Sequence, residues 1–154
     1  MGNSEDDHRR RAELIQRFPG LEHGHFQLTS PQDHSYNCVA HAAGEDWRCW
    51  DPQPFGNLYW PEGVPRVPTL DAYVSAFATL GFRPTSVALM EPGLEKIAIY
   101  IAPDGVVAHI ARQLPSGLWT SKLGPREDIE HELAGLEGER WGSVSTLMAR
   151  VRSR

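Results

Sequence analysis

Apolar residues recur along this chain in two different periods, and the change of period divides it. In the first half, Ala12, Leu14, Ile15 and Phe18 form a rough stripe that predicts a helix over 8–18, closed by Pro19-Gly20. Cys38-Val39-Ala40-His41-Ala42-Ala43 is alanine-rich and stops at Gly44, which predicts a two-turn helix with Asn37 or Ser35 as its N-cap. Leu70, Tyr73, Val74, Phe77 and Leu80 fall at the spacing of a buried helical face behind Thr69 and ahead of Gly81. Beyond residue 82 the pattern becomes that of strands, expected over 83–90, 96–102, 106–114 and 118–123. Pro103-Asp104-Gly105 and Pro115-Ser116-Gly117 supply the hairpin turns. A surface helix is expected over 126–136 and a last strand or short helix over 141–151. Helices first and antiparallel strands second make an α+β layout. Its helical part, about 8–81, packs on a sheet part, about 82–154, behind a polar, disordered tail at 1–7.

Between the second and third helices, the stretch 51–68 holds five prolines together with Gly56, Asn57 and Gly63, so it reads as a long ordered loop. Trp47, Trp50, Phe55, Tyr59 and Trp60 flank or punctuate it, and rings in such a loop must pack against something. Trp50, Tyr59 and Trp60 can line a substrate groove, or they can serve core packing.

Composition narrows the function. Of 154 residues, 15 are Lys or Arg and 20 are Asp or Glu, a net charge of −5 that argues against a nucleic-acid surface. A hydrophobic share of 40% is enough for a buried core and excludes the disordered class. No apolar run approaches a membrane span, and the start MGNSEDDHRRR lacks the apolar stretch of a secretory signal. A cytoplasmic protein is expected, with delivery elsewhere as an effector left open. Cys38 and Cys49 are too few for a disulfide framework or a closed four-cysteine zinc site.

The chemistry centres on Cys38. It opens the alanine-rich helix, where unpaired amides and the helix dipole favour a thiolate. His109 lies on a predicted strand 71 residues later, and a nucleophilic thiol needs such a base and a group to orient it. The third group follows from hairpin geometry. With a three-residue loop at 115–117, paired positions sum to 232, and His109, Ala111, Ser121 and Leu123 share one face. Ser121 then sits diagonal to His109, within reach of its ring. A two-residue loop puts Thr120 and Lys122 on that face instead.

A cysteine on an N-terminal helix, then a histidine on the sheet and a polar residue on the next strand, resembles the papain-like superfamily. The likeness lies with its small bacterial branches of the NlpC/P60 and transglutaminase-like kind. The words Tyr36-Asn37-Cys38-Val39-Ala40-His41-Ala42-Ala43-Gly44, Tyr59-Trp60-Pro61 and His109-Ile110-Ala111-Arg112-Gln113-Leu114 also look like an uncharacterised bacterial domain family. The resemblance implies a papain-like α+β fold and a hydrolase or acyltransferase acting on an amide bond in a peptide, protein or small molecule. In that reading Cys38 attacks, His109 carries the proton, and Ser121 steadies the imidazole where the superfamily has Asn, Asp or His. Gln32, six residues before Cys38, resembles in position the oxyanion glutamine of these peptidases. No cofactor, nucleic acid or membrane partner is implied.

Plainer readings stand beside these. Cys38 can be a small core residue, since free cysteine is among the most buried types. His109, among Val106, Val107, Ile110 and Ala111, can be a satisfied core histidine. A zinc site from Cys38, His41 and His23 or His25 lacks a second clustered pair. Ser121 in place of a stronger orienting group favours a different class altogether, a non-catalytic binding or inhibitory module that keeps the fold.

Overall fold

Asn37 and Thr69 start the two helices that cover the candidate nucleophile. Each accepts a first-turn amide: Ala40 N–H to Asn37 Oδ1 at 3.2 Å, and Ala72 N–H to Thr69 Oγ1 at 3.3 Å. The computed structural model describes residues 4–54 and 57–152. Those described residues contain three helices, α1 (Ser4–Arg17), α2 (Cys38–Ala42) and α3 (Leu70–Ala78), besides two short 3₁₀ turns, Pro19–His23 and Leu133–Leu136. Seven strands follow the order β1-β6-β5-β4-β3-β7-β2, with every neighbouring pair antiparallel. They are β1 (Phe26–Leu28), β2 (Arg83–Thr85), β3 (Leu94–Ile101), β4 (Val107–Gln113), β5 (Trp119–Lys122), β6 (Asp128–His131) and β7 (Ser143–Val151). The α+β layout of the sequence is therefore present. Among the described residues no helix is long and apolar enough to cross a membrane.

Four expectations change, the first being the strand expected over 83–90, which ends at Thr85. The tail at 1–7 is helical from Ser4, because Glu5, Asp6 and Asp7 occupy a first turn whose dipole favours them; residues 1–3, like Phe55 and Gly56 of the aromatic loop, lie outside the described residues. The helix expected over 126–136 is β6 followed by the Leu133–Leu136 turn. Glu127, Asp128 and Glu130 imitate a solvated helix face. Ile129 and His131 are nevertheless fully buried at alternate positions, which is a strand's period. The division at residue 81 is crossed too, since β1 joins the sheet edge beside β6.

Alternation decides what each side of the sheet faces. Ile97, Ile99, Ile110 and Met148 point to the side covered by α2, α3 and the loop, where they pack with Val39, Ala40, Trp50, Trp60 and Phe77. Ala98, Tyr100, Ala111, Trp119 and Ile129 point to the opposite side, against Leu14, Phe18, Leu21 and Phe26. The β4–β5 register pairs Arg112 with Thr120 and Gln113 with Trp119, as the three-residue loop requires, and Gly117 supplies the loop's positive φ of 94°.

Candidate functional site

The buried polar groups concentrate on β4, β5 and β6: His109, Gln113, Thr120, Ser121, Lys122, Asp128 and His131 are all buried there. Alternation sorts the ones with chemical potential into two clusters, one on each face.

On the α1 face, Ser121 bridges two imidazoles. Its Oγ lies 2.7 Å from His109 Nε2 and 2.7 Å from His131 Nε2. Proton positions follow from the far end. His131 Nδ1 is 2.8 Å from the Glu132 carbonyl, which only accepts, so Nδ1 carries the hydrogen. Burial drives the His131 pKa down to about 4, so the ring is neutral and its Nε2 accepts from the Ser121 hydroxyl. Ser121 Oγ must then accept from His109 Nε2–H, which leaves His109 Nδ1 a bare acceptor. That atom is buried and has no partner. Burial first, and then the neighbouring His131 and His41 imidazoles, hold His109 well below the usual histidine range. The Trp141 ring stacks on it at 4.0 Å, with Tyr100 at 5.5 Å on another side.

On the α2 face, His41 is the centre. Its Nε2 lies 3.0 Å from Thr120 Oγ1, and its Nδ1 lies 3.9 Å from Asp128 Oδ2. Tyr36 stacks on His41 at 5.9 Å and donates its hydroxyl to Asp128 Oδ2 at 2.8 Å. Burial, followed by that hydrogen bond, pushes the Tyr36 phenol up to about 12. The Lys122 ammonium sits 4.4 Å over the Tyr36 ring and donates to the Arg126 carbonyl. Burial lowers the His41 pKa against the opposing pull of Asp128, keeping the ring neutral. The order hydroxyl, imidazole, carboxylate has the form of an acyl-transfer triad. Thr120 is only 5% exposed, however, and Asp128 Oδ1 is buried without a partner.

The expected site residues fall as follows. His109 and Ser121 come together as the hairpin geometry requires. Cys38 does not join them, because it packs on the α2/α3 face with the Ile110 cluster while the neighbouring His109 points to the other side. Cys38 is half-buried, and desolvation by its packed surroundings raises the thiol pKa to about 11, with hydrogen bonds from the backbone at Ile110 and Val39 offsetting only part of that. The helix-start argument for a thiolate is thus overcome by desolvation. Gln32 is exposed and lines a cavity of about 370 Å³ with Arg10, Leu28 and Glu127, a lining that does not include Cys38. Trp50 and Trp60 are core residues, 1% and 4% exposed, and the half-buried Tyr59 packs edge-on to Trp50 at 4.7 Å; the groove expected from these three rings is filled by their own packing. Among the described residues no three metal-ligating side chains converge.

The chain matches, over residues 27–149, the family described as a domain of unknown function, DUF7689. It belongs to that family. No curated protein and no solved structure matches the chain. The DUF7689 match spans α2, α3 and all seven strands apart from Phe26, Arg150 and Val151, so it contains both polar clusters.

Sequence reasoning missed His131, Tyr36 and Asp128, and it weighed His41 only as a metal ligand. The signal for His131 was available: the same alternation that joins Ser121 to His109 carries across one further strand, where Ser121 pairs with Ile129 and His131 lies two residues on.

Proposed function

We propose that this chain is a non-catalytic binding module on a papain-like scaffold, one that retains the helix-on-sheet arrangement without an assembled cysteine hydrolase site. The papain-like part of the reading is supported by a cysteine that opens a short helix laid on the antiparallel sheet and by a histidine with a polar partner on the next strand. The observation that carries the loss of chemistry is the placement of Cys38 and His109 on opposite faces of the sheet. A thiol pushed up to about 11 is almost wholly protonated at neutral pH, and a proton acceptor across the sheet does nothing to change that. His109 already donates through Nε2 to Ser121, and its free nitrogen lies under Trp141.

Alkylation tests this directly. With iodoacetamide at pH 6, mapped by mass spectrometry, Cys38 is expected to react more slowly than free cysteine. Faster reaction would show an activated nucleophile and restore the hydrolase. The Thr120–His41–Asp128 order gives hydrolysis its one remaining support. Labelling of Thr120 by an organophosphonate probe would overturn the binding reading just as firmly; no label is expected.

A further inference from the structure

A chain of net charge −5 gathers four arginines at one corner, where the end of α1, the turn between β5 and β6, and the segment before β7 meet. Arg10, Arg17 and Arg126 line a cavity of about 170 Å³ whose apolar wall includes Leu14, Phe18 and Trp141, with no carboxylate in its lining. The cavity adjoins a larger groove of about 840 Å³, which shares Arg17 and adds Arg140, Gln16, Glu137 and Glu139. Arg17 senses the other three: its pKa is lowered by burial first and then by Arg140, Arg126 and Arg10, with Glu13 pulling the other way.

Pairing does not explain the gathering. Arg10 is the member held in place, with Nε 3.0 Å from both Glu127 oxygens and Nη1 3.0 Å from Glu13. Its remaining Nη2 is buried and unpartnered. Among the described residues, Arg17, Arg126 and Arg140 have no carboxylate within 4.0 Å and no side-chain hydrogen bond. With Arg10 neutralised by Glu127 and Glu13, the unpaired positive charge rests on the exposed Arg17, Arg126 and Arg140, an arrangement that favours a ligand supplying negative charge.

We propose that this corner binds a small phosphomonoester with a hydroxyl-bearing body, the phosphoryl group in the arginine-lined cavity and the body in the adjoining groove. A phosphate monoester carries close to two negative charges and three acceptor oxygens, which suits several converging guanidinium forks better than a single carboxylate does. The smaller cavity is below the roughly 300–1,000 Å³ of a site for a whole ligand, so it takes a head group. In the groove, Gln16, Glu137 and Glu139 suit hydroxyls, and together with the net charge they repel a nucleic-acid backbone. The site does not include Cys38, His41 or the Ser121 bridge, although its wall residue Trp141 also stacks on His109. It gives the binding-module reading a ligand, but its test is blind to thiol reactivity, so either reading can fail alone.

The test is calorimetric titration of the full chain with glucose 6-phosphate, inorganic phosphate and glucose at about 150 mM salt. Glucose 6-phosphate is expected to bind, inorganic phosphate more weakly, and glucose not at all. Arg17→Gln/Arg126→Gln should weaken the sugar phosphate at least about tenfold, while the ligand-free unfolding midpoint stays level or rises because neither guanidinium has a partner to lose. Arg140→Gln, which alters only the groove, should lower affinity for glucose 6-phosphate more than for inorganic phosphate. Equal binding by wild type and the double variant, or no heat with either phosphate, would overturn the proposal. Equal affinity for the two phosphates would overturn the hydroxyl-bearing body.

Discussion

Replacing Ser121 by Ala separates two kinds of buried polar network, one that holds the sheet together and one that is decorative. The serine hydroxyl donates to His131 Nε2 and accepts from His109 Nε2, both at 2.7 Å, and all three residues are at most 1% exposed. Its removal leaves one acceptor and one donor in a place water does not reach. Each buried orphan costs about 1–3 kcal/mol, so the loss should be about 2–6 kcal/mol, a large part of the 5–15 kcal/mol typical of a whole domain. At roughly 2–4 °C per kcal/mol for a chain of this length, the unfolding midpoint should fall by about 4–24 °C. Urea unfolding at pH 7.5, where the histidines are neutral in both states, measures the difference; the slope with urea should stay the same while the midpoint drops. Adding His131→Phe removes the stranded acceptor as well, so the double variant should lose less than the two single losses summed, by about 1 kcal/mol or more. A single-variant loss below about 1 kcal/mol, or strict additivity in the pair, would show that Ser121 does not bridge the rings.

Two further outcomes rest on the same geometry. Stability should fall as pH drops from about 6.5 to about 4, because over that range the unfolded chain binds protons that folded His131 refuses. A drop from the ordinary 6.5 to about 4 corresponds to about 3 kcal/mol for this ring alone, with His109 and His41 acting in the same direction; urea midpoints at pH 7.5 and 4.5 that coincide would refute it. Asn37→Ala should cost about 2–4 kcal/mol by thermal unfolding, since Asn37 caps α2 and also clamps Trp50, donating to its carbonyl at 2.7 Å and accepting from its amide at 3.1 Å. Asn37→Asp keeps the two accepting roles and should fall between Ala and wild type.

The elements were largely legible because their signals are local. Asn37 and Thr69 are caps, Gly117 supplies the turn's positive φ, and the three-residue loop alone was enough to set His109 diagonal to Ser121. What misled was equally local: the acidic residues at 127, 128 and 130 match a surface helix until Ile129 and His131 are known to need burial on a single face. The site was harder for a different reason. Face assignment within the sheet was correct, but nothing in the hairpin says which face receives α2. That choice depends on long-range packing, since Val39 and Ala40 of the helix find Ile97, Ile99 and Ile110, whereas Leu14, Phe18 and Leu21 of the first segment find Ala98, Tyr100 and Ala111. On β4 those two sets alternate residue by residue. A helix docked on the side of His109 would bring the Cys38 thiol toward an imidazole; docked on the side of Ile110, it brings the same thiol to an isoleucine and its backbone. The difference between a catalytic pair and two unrelated buried groups is therefore one position in the strand's two-residue period, decided by which hydrophobic stripe covers which side.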